Sequence, residues 1–141
     1  MPVTLRLLAI PTAILLACFL TLDACWLALI GPRLYRPELD GLLSANVDWL
    51  AAVLFYLLYL AGLTTFVMVP ASVEGRPARA LSKGALFGLV AYGTYDLTNQ
   101  ATLAGWPWRI TAADLAWGAF VSGMSSWVAV RAAMGLQRQL R

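Results

Sequence analysis

The sequence holds no histidine and only two cysteines, and 12% of its 141 residues are charged. Without imidazoles or a Cys-x-x-Cys pair, the usual nitrogen and thiolate metal sites have no ligands. Only carboxylate ligation of a hard cation stays open, and neither a metal nor a cofactor is expected. Cys18 and Cys25 are seven apart, which on one helix separates them by about 10 Å at 1.5 Å per residue, too far for a disulfide. There is no Gly-x-Ser-x-Gly, and Ser122 and Ser125 have no nearby histidine or lysine, so no activated nucleophile is visible. Low-complexity tracts, linkers and shifts of composition are also missing, which excludes a division into domains.

What fills the space is hydrocarbon. Hydrophobic residues make up 61% of the chain and mean hydropathy is +0.75, whereas soluble domains carry roughly 25% charged residues. Four apolar segments, 7–30, 49–70, 83–105 and 112–134, each reach the roughly 20 residues that cross about 30 Å of hydrocarbon. The first continues past Cys18 to Ile30, beyond the roughly 7–15 residues of a signal h-region, and is read as a retained span. The expected fold is all-α, a polytopic transmembrane four-helix bundle forming one integral-membrane domain. Pro32, Pro37 and Gly41 argue against one regular helix in the first connection, which is expected to hold a short amphipathic piece. Trp106 and Trp108 suit the headgroup level.

The net charge of +3 reflects topology rather than affinity for nucleic acid. Arg6, Arg76, Arg79, Lys83, Arg131, Arg138 and Arg141 fall on one side, with Arg33, Arg36 and Arg109 on the other. The positive-inside rule then places both termini in the cytoplasm.

Within the third segment, Tyr95-Asp96-Leu97-Thr98-Asn99 puts a carboxylate and a carboxamide where lipid is expected. Intramembrane ionisable groups cost a few kcal/mol or more unless they face protein or water. At about 100° per residue, Gly84, Gly88, Tyr92, Tyr95, Asp96, Asn99 and Thr102 share one stripe, opposite Leu86, Val90 and Leu97. The last segment has a comparable stripe of Thr111, Asp114, Gly118, Ser122, Ser125 and Ala129, small or polar residues that permit close helix packing. In the first segment Thr12, Leu16, Asp23 and Ile30 lie together. Tyr56 and Tyr59 are the main polar groups of the second.

Depth brings these groups to one level. Asp23, Asp96 and Asp114 are expected in the outer half of the bilayer, with Asn99, Tyr92, Tyr95, Thr102, Trp26 and Trp117 nearby and Arg109 as a candidate ion-pair partner. The candidate ligand-binding residues are therefore Asp23, Asp96, Asn99, Tyr92, Tyr95, Thr102, Asp114, Trp117 and Arg109. Each acid has a plainer reading. Thr111-Ala112-Ala113-Asp114 matches a capping box, which favours a capping role for Asp114. Asp23 and Asp96 can equally lock helices together through Tyr, Asn or Thr.

Several stretches resemble one family of bacterial membrane proteins, that grouped as domain of unknown function 2177. They are Leu22-Asp23-Ala24-Cys25-Trp26-Leu27, Phe55-Tyr56-Leu57-Leu58-Tyr59, Val69-Pro70-Ala71, the block from Tyr95 to Leu103, Trp106-Pro107 and Asp114-Leu115-Ala116-Trp117-Gly118. The resemblance runs over nearly the whole chain, and its Tyr-Asp-Leu-Thr-Asn block is specific. It implies a four-span protein of the bacterial inner membrane, marks Asp23, Asp96, Asn99 and Asp114 as motif positions, and implies no particular reaction.

The leading expectation is a site that binds, modifies or moves a lipid or small amphiphile, which leaves open whether the protein is an enzyme. One competing class is a structural or accessory subunit, a partner in a homo-oligomer or larger membrane complex. The other is a proton- or cation-coupled transporter component.

Overall fold

The computed structural model describes the backbone of residues 3–139 and the side chains of residues 8–139, so the side chain of Arg6 and the whole of Arg141 lie outside the described residues. The chain is 86% helical, with no strand among the described residues. Helix α1 spans Val3–Leu29, α2 Gly31–Glu38, α3 Trp49–Leu63, α4 Val69–Glu74, α5 Pro77–Thr102 and α6 Trp108–Gln139, with a π-helical turn at Thr64–Met68 between α3 and α4.

Local chemistry accounts for these boundaries. Asp48 caps α3, its carboxylate accepting from the Ala51 amide at 3.1 Å, which satisfies one amide donor that the first turn leaves unmet. The π turn falls immediately before Pro70. Proline has no N–H and its ring crowds the carbonyl four residues back, so the ladder shifts register, and Val69 N–H bonds to Thr64 O instead. Gly75 then ends α4 in the left-handed region at φ 64°, a conformation glycine adopts without a Cβ penalty. Pro77 opens α5, where its missing donor costs nothing.

Trp49–Glu74 behaves as one long rod. Together with Leu8–Leu29 and Trp108–Gln139 it is long and apolar enough to cross a membrane. Helix α5 has the length, 26 residues, but falls outside that group; Arg79, Lys83, Asp96, Asn99 and Gln100 dilute its apolar content. Leu86, Val90 and Leu97 are exposed on it as the helical projection requires.

Helices α5 and α6 make the most extensive contact of the bundle, and glycines permit it. A Cβ added at Gly88 would lie 1.9 Å from the Gly118 carbonyl oxygen, and one at Gly84 would lie 2.7 Å from that of Ser122. On α6 the buried stripe runs through Thr111, Asp114, Gly118, Ser122, Ser125 and Ala129. On α1 the projection needs correction: Leu16 is exposed, and the inward row is Pro11, Leu15, Phe19 and Asp23, an i, i+4 series. The inward row follows the contacts of α1 with α6 rather than the placing of polar residues.

Two apolar clusters hold the molecule. The larger packs Leu15, Phe19, Leu63, Met68, Val121 and Val130 between helices. The smaller joins Leu34 and Leu39 to Trp106 and Ile110, seating α2 against the start of α6. Trp106 is thus buried rather than placed at a headgroup surface, while Trp108 is 67% exposed.

Candidate functional site

Beneath α2 and residues 39–48 lies a partly open cavity of about 750 Å³. Asp23 from α1, Asp96 from α5 and Asp114 from α6 all line it. Aromatic side chains form much of the remaining wall, among them Trp26, Tyr35, Tyr56, Tyr59, Tyr92, Tyr95 and Trp117. The connection after α1 borders it with Leu39, Leu43, Ser44 and Val47.

The three acids have different surroundings. Asp23 is buried, and both of its oxygens are in use: Tyr56 Oη donates to Oδ2 at 2.5 Å and Trp117 Nε1 donates to Oδ1 at 3.0 Å. Asp114 accepts from the Tyr35 hydroxyl at Oδ1, and Tyr35 in turn accepts from Trp26 Nε1 at 2.8 Å. Trp26 stacks on Trp117, with centroids 4.4 Å apart and planes 9° from parallel, so the Asp23 and Asp114 networks share one aromatic pair. Tyr35, outside the spanning helices, holds its phenolic proton well above the usual tyrosine range; burial disfavours the phenolate, and donation to Asp114 adds to the effect.

Asp96 is fully buried, and no hydrogen bond reaches either of its oxygens. The side chain within hydrogen-bonding reach is Asp114, a second acid, and a bond between the two needs a proton that they share. An unmet buried carboxylate is costly, because it gives up water and receives no donor in return. It is therefore the group that most needs a partner from outside the chain.

Six of the nine residues expected at the site, Asp23, Asp96, Asp114, Tyr92, Tyr95 and Trp117, line the cavity, whereas Asn99, Thr102 and Arg109 do not. Asn99 lies half-buried off the wall. Thr102 is exposed and donates to its own helix at Thr98 O, 2.7 Å away, following the same back-bonding as Thr94 and Thr98. Arg109 pairs with Glu38 at 3.2 Å instead of with any of the three acids.

The capping box is also overturned. Helix α6 begins at Trp108, which places Thr111 and Asp114 inside it. Thr111 Oγ1 accepts from Trp106 Nε1 at 3.1 Å and donates to Gln100 Oε1 at 3.0 Å. Gln100 also donates to the Trp106 carbonyl at 2.9 Å. The pattern Thr-x-x-Asp is therefore split between a loop-anchoring network and the cavity.

Sequence reasoning missed Tyr35 and left Tyr56 outside the site. Tyr56 carried a signal, as a hydroxyl within an apolar span that must find a partner. Tyr35 carried none, because its partner lies 79 residues away. Among the described residues no group of three or more metal-ligating side chains comes together.

Long apolar helices, two of them packed through glycines, beside a largely apolar cavity that holds three acids define an integral membrane protein of the helical-bundle class. The chain belongs to the family described as predicted membrane protein DUF2177, which it matches over residues 8–131. No curated protein and no solved structure matches it.

Proposed function

We propose that this protein binds an amphiphile of the membrane, holding its polar group among Asp96, Asp114 and the surrounding hydroxyls and its chain along the apolar wall. The observation that carries this reading is the cavity itself, about 750 Å³ with a buried, unpartnered carboxylate on its wall. Its volume falls within the roughly 300–1,000 Å³ of small-molecule sites, and it has their mixture of apolar lining and few polar groups. Leu27, Leu39, Leu43, Val47 and Phe55 supply lining suited to an acyl or alkyl chain.

In this reading α5 is the fourth span, tolerated because its polar face is turned to α6 and the cavity. The basic residues near Gly75 and at the C-terminus face the cytoplasm, and the cavity lies in the outer half of a bacterial inner membrane. Modification or movement of the bound molecule would use the same carboxyl groups, as acid and base.

A second reading, helix-locking polar groups in an accessory subunit, is favoured by Asp23 alone. Both of its oxygens are saturated by Tyr56 and Trp117, which suits structural glue. The two readings thus divide between residues, Asp23 supporting the architecture and Asp96 the ligand.

Mass spectrometry of co-purified lipids, with folding monitored by circular dichroism, tests the division. A specific amphiphile should accompany the parent chain and be lost from Asp96→Asn with folding intact. Identical lipid content in the parent and a folded Asp96→Asn sinks the binding reading.

A further inference from the structure

Resting on that reading, we infer that the polar group of the bound amphiphile is an ammonium, recognised by Asp96 and Asp114 within an aromatic wall. Hydrogen-bond supply sets the requirement. One indole and one phenol serve Asp23, one phenol serves Asp114, and no N–H or hydroxyl serves Asp96, whose neighbour within reach is the acid Asp114. Asp96 is 0% exposed, so bulk water does not compensate it. An ionised carboxylate only accepts, and the ligand must therefore bring donors to this corner.

Charge selects among donors. Three aspartates line the cavity against one arginine, Arg36, which is exposed. An anionic headgroup would add to the negative charge, and a neutral polyol would leave it standing. A cation removes it, and charge-assisted bonds are the stronger kind.

The wall points the same way. Tyr92, one helical turn before Asp96, Tyr95, the residue next to it, and the stacked pair Trp26 and Trp117 border the cavity. Aromatic faces attract cations through the ring quadrupole, most strongly when both are desolvated, and rings grouped with carboxylates suit ammonium ligands. The apolar lining requires that this ammonium carry a chain.

The experiment uses the full chain in nanodiscs of uncharged lipid, with probe retention counted by native mass spectrometry. The probes are dodecylammonium, dodecanol, dodecanoate and, without a chain, tetramethylammonium. Dodecylammonium should be retained about 10–100-fold more tightly than dodecanol, the range expected for a hydrogen bond to a charged group. Asp96→Asn should abolish that preference, while Asp96→Glu should restore part of it.

Equal retention of dodecylammonium and dodecanol by the parent chain overturns the ammonium assignment and leaves the amphiphile reading standing. That outcome is the one expected if Asp96 and Asp114 satisfy each other by sharing a proton. Retention of none of the chain-bearing probes overturns the reading itself, as does tetramethylammonium binding as tightly as dodecylammonium. A preference that survives Asp96→Asn overturns the role of Asp96. Should that variant not fold, the ranking of probes on the parent chain decides alone.

Discussion

Asp23 and Asp96 are both buried carboxylates on the same cavity, yet substitution should move their stabilities in opposite directions. Asp23→Asn replaces one acceptor oxygen by an amide nitrogen facing Tyr56 Oη or Trp117 Nε1. Leaving a buried donor unmet costs about 1–3 kcal/mol, so a lower melting temperature in detergent is expected. Tyr56→Phe removes one bond only, and interhelical hydrogen bonds in membranes average about 0.6 kcal/mol; its loss should be smaller than that of Asp23→Asn. Asp96→Asn removes no bond from an N–H or hydroxyl donor and sets an amide donor beside Asp114 in place of a second acid, so its melting temperature should match or exceed that of the parent. A drop as large as that of Asp23→Asn would mean Asp96 has a structural partner.

At the scale of elements, α5 and α6 are held by shape. The Cβ of Gly88→Ala would meet the Gly118 carbonyl oxygen at 1.9 Å, and backbone cannot swing aside as a side chain does. Overpacking of this kind costs about 1–3 kcal/mol, and Gly88→Ala should unfold earlier and open the Tyr92–Gly118 contact. Gly93→Ala is the control: its nearest new neighbour would be Leu97 Cδ1 at 3.8 Å, an ordinary contact, so thermal unfolding should be unchanged or slightly later. The close α5–α6 packing was legible beforehand, because small residues at helical spacing in apolar segments have few other uses. The inward face of α1 was less so. Placing Leu16 with Asp23 on one face was a periodicity argument, and a helix whose residues are nearly all apolar leaves little contrast for periodicity to read.

Across the whole molecule, four rods of alternating direction place α2, the 39–48 connection and the start of α6 at one end, and Gly75 and the end of α6 at the other. In a Cys18→Ser, Cys25→Ser background, a cysteine at Ser44 should react with a membrane-impermeant maleimide added outside intact cells. One at Arg138 should react only after lysis. Labelling of both from outside, or of neither, would contradict the proposed four-span orientation. The three apolar rods alone do not settle this point, since α5 carries too many polar groups to qualify by composition.

Apolar runs, helix punctuation by proline and glycine, and the glycine spacing of α5 are local properties, so the sequence by itself determined a helical membrane protein and the inward face of Asp96. Which acid is satisfied and which is not came only from the tertiary structure. Trp117 and Asp23 stand 94 residues apart, and Tyr35 and Asp114 stand 79 apart. A hydrogen bond is a matter of ångströms in space, and helical periodicity shows which way a side chain points without saying what waits opposite it. For Asp96 it is a second acid, Asp114.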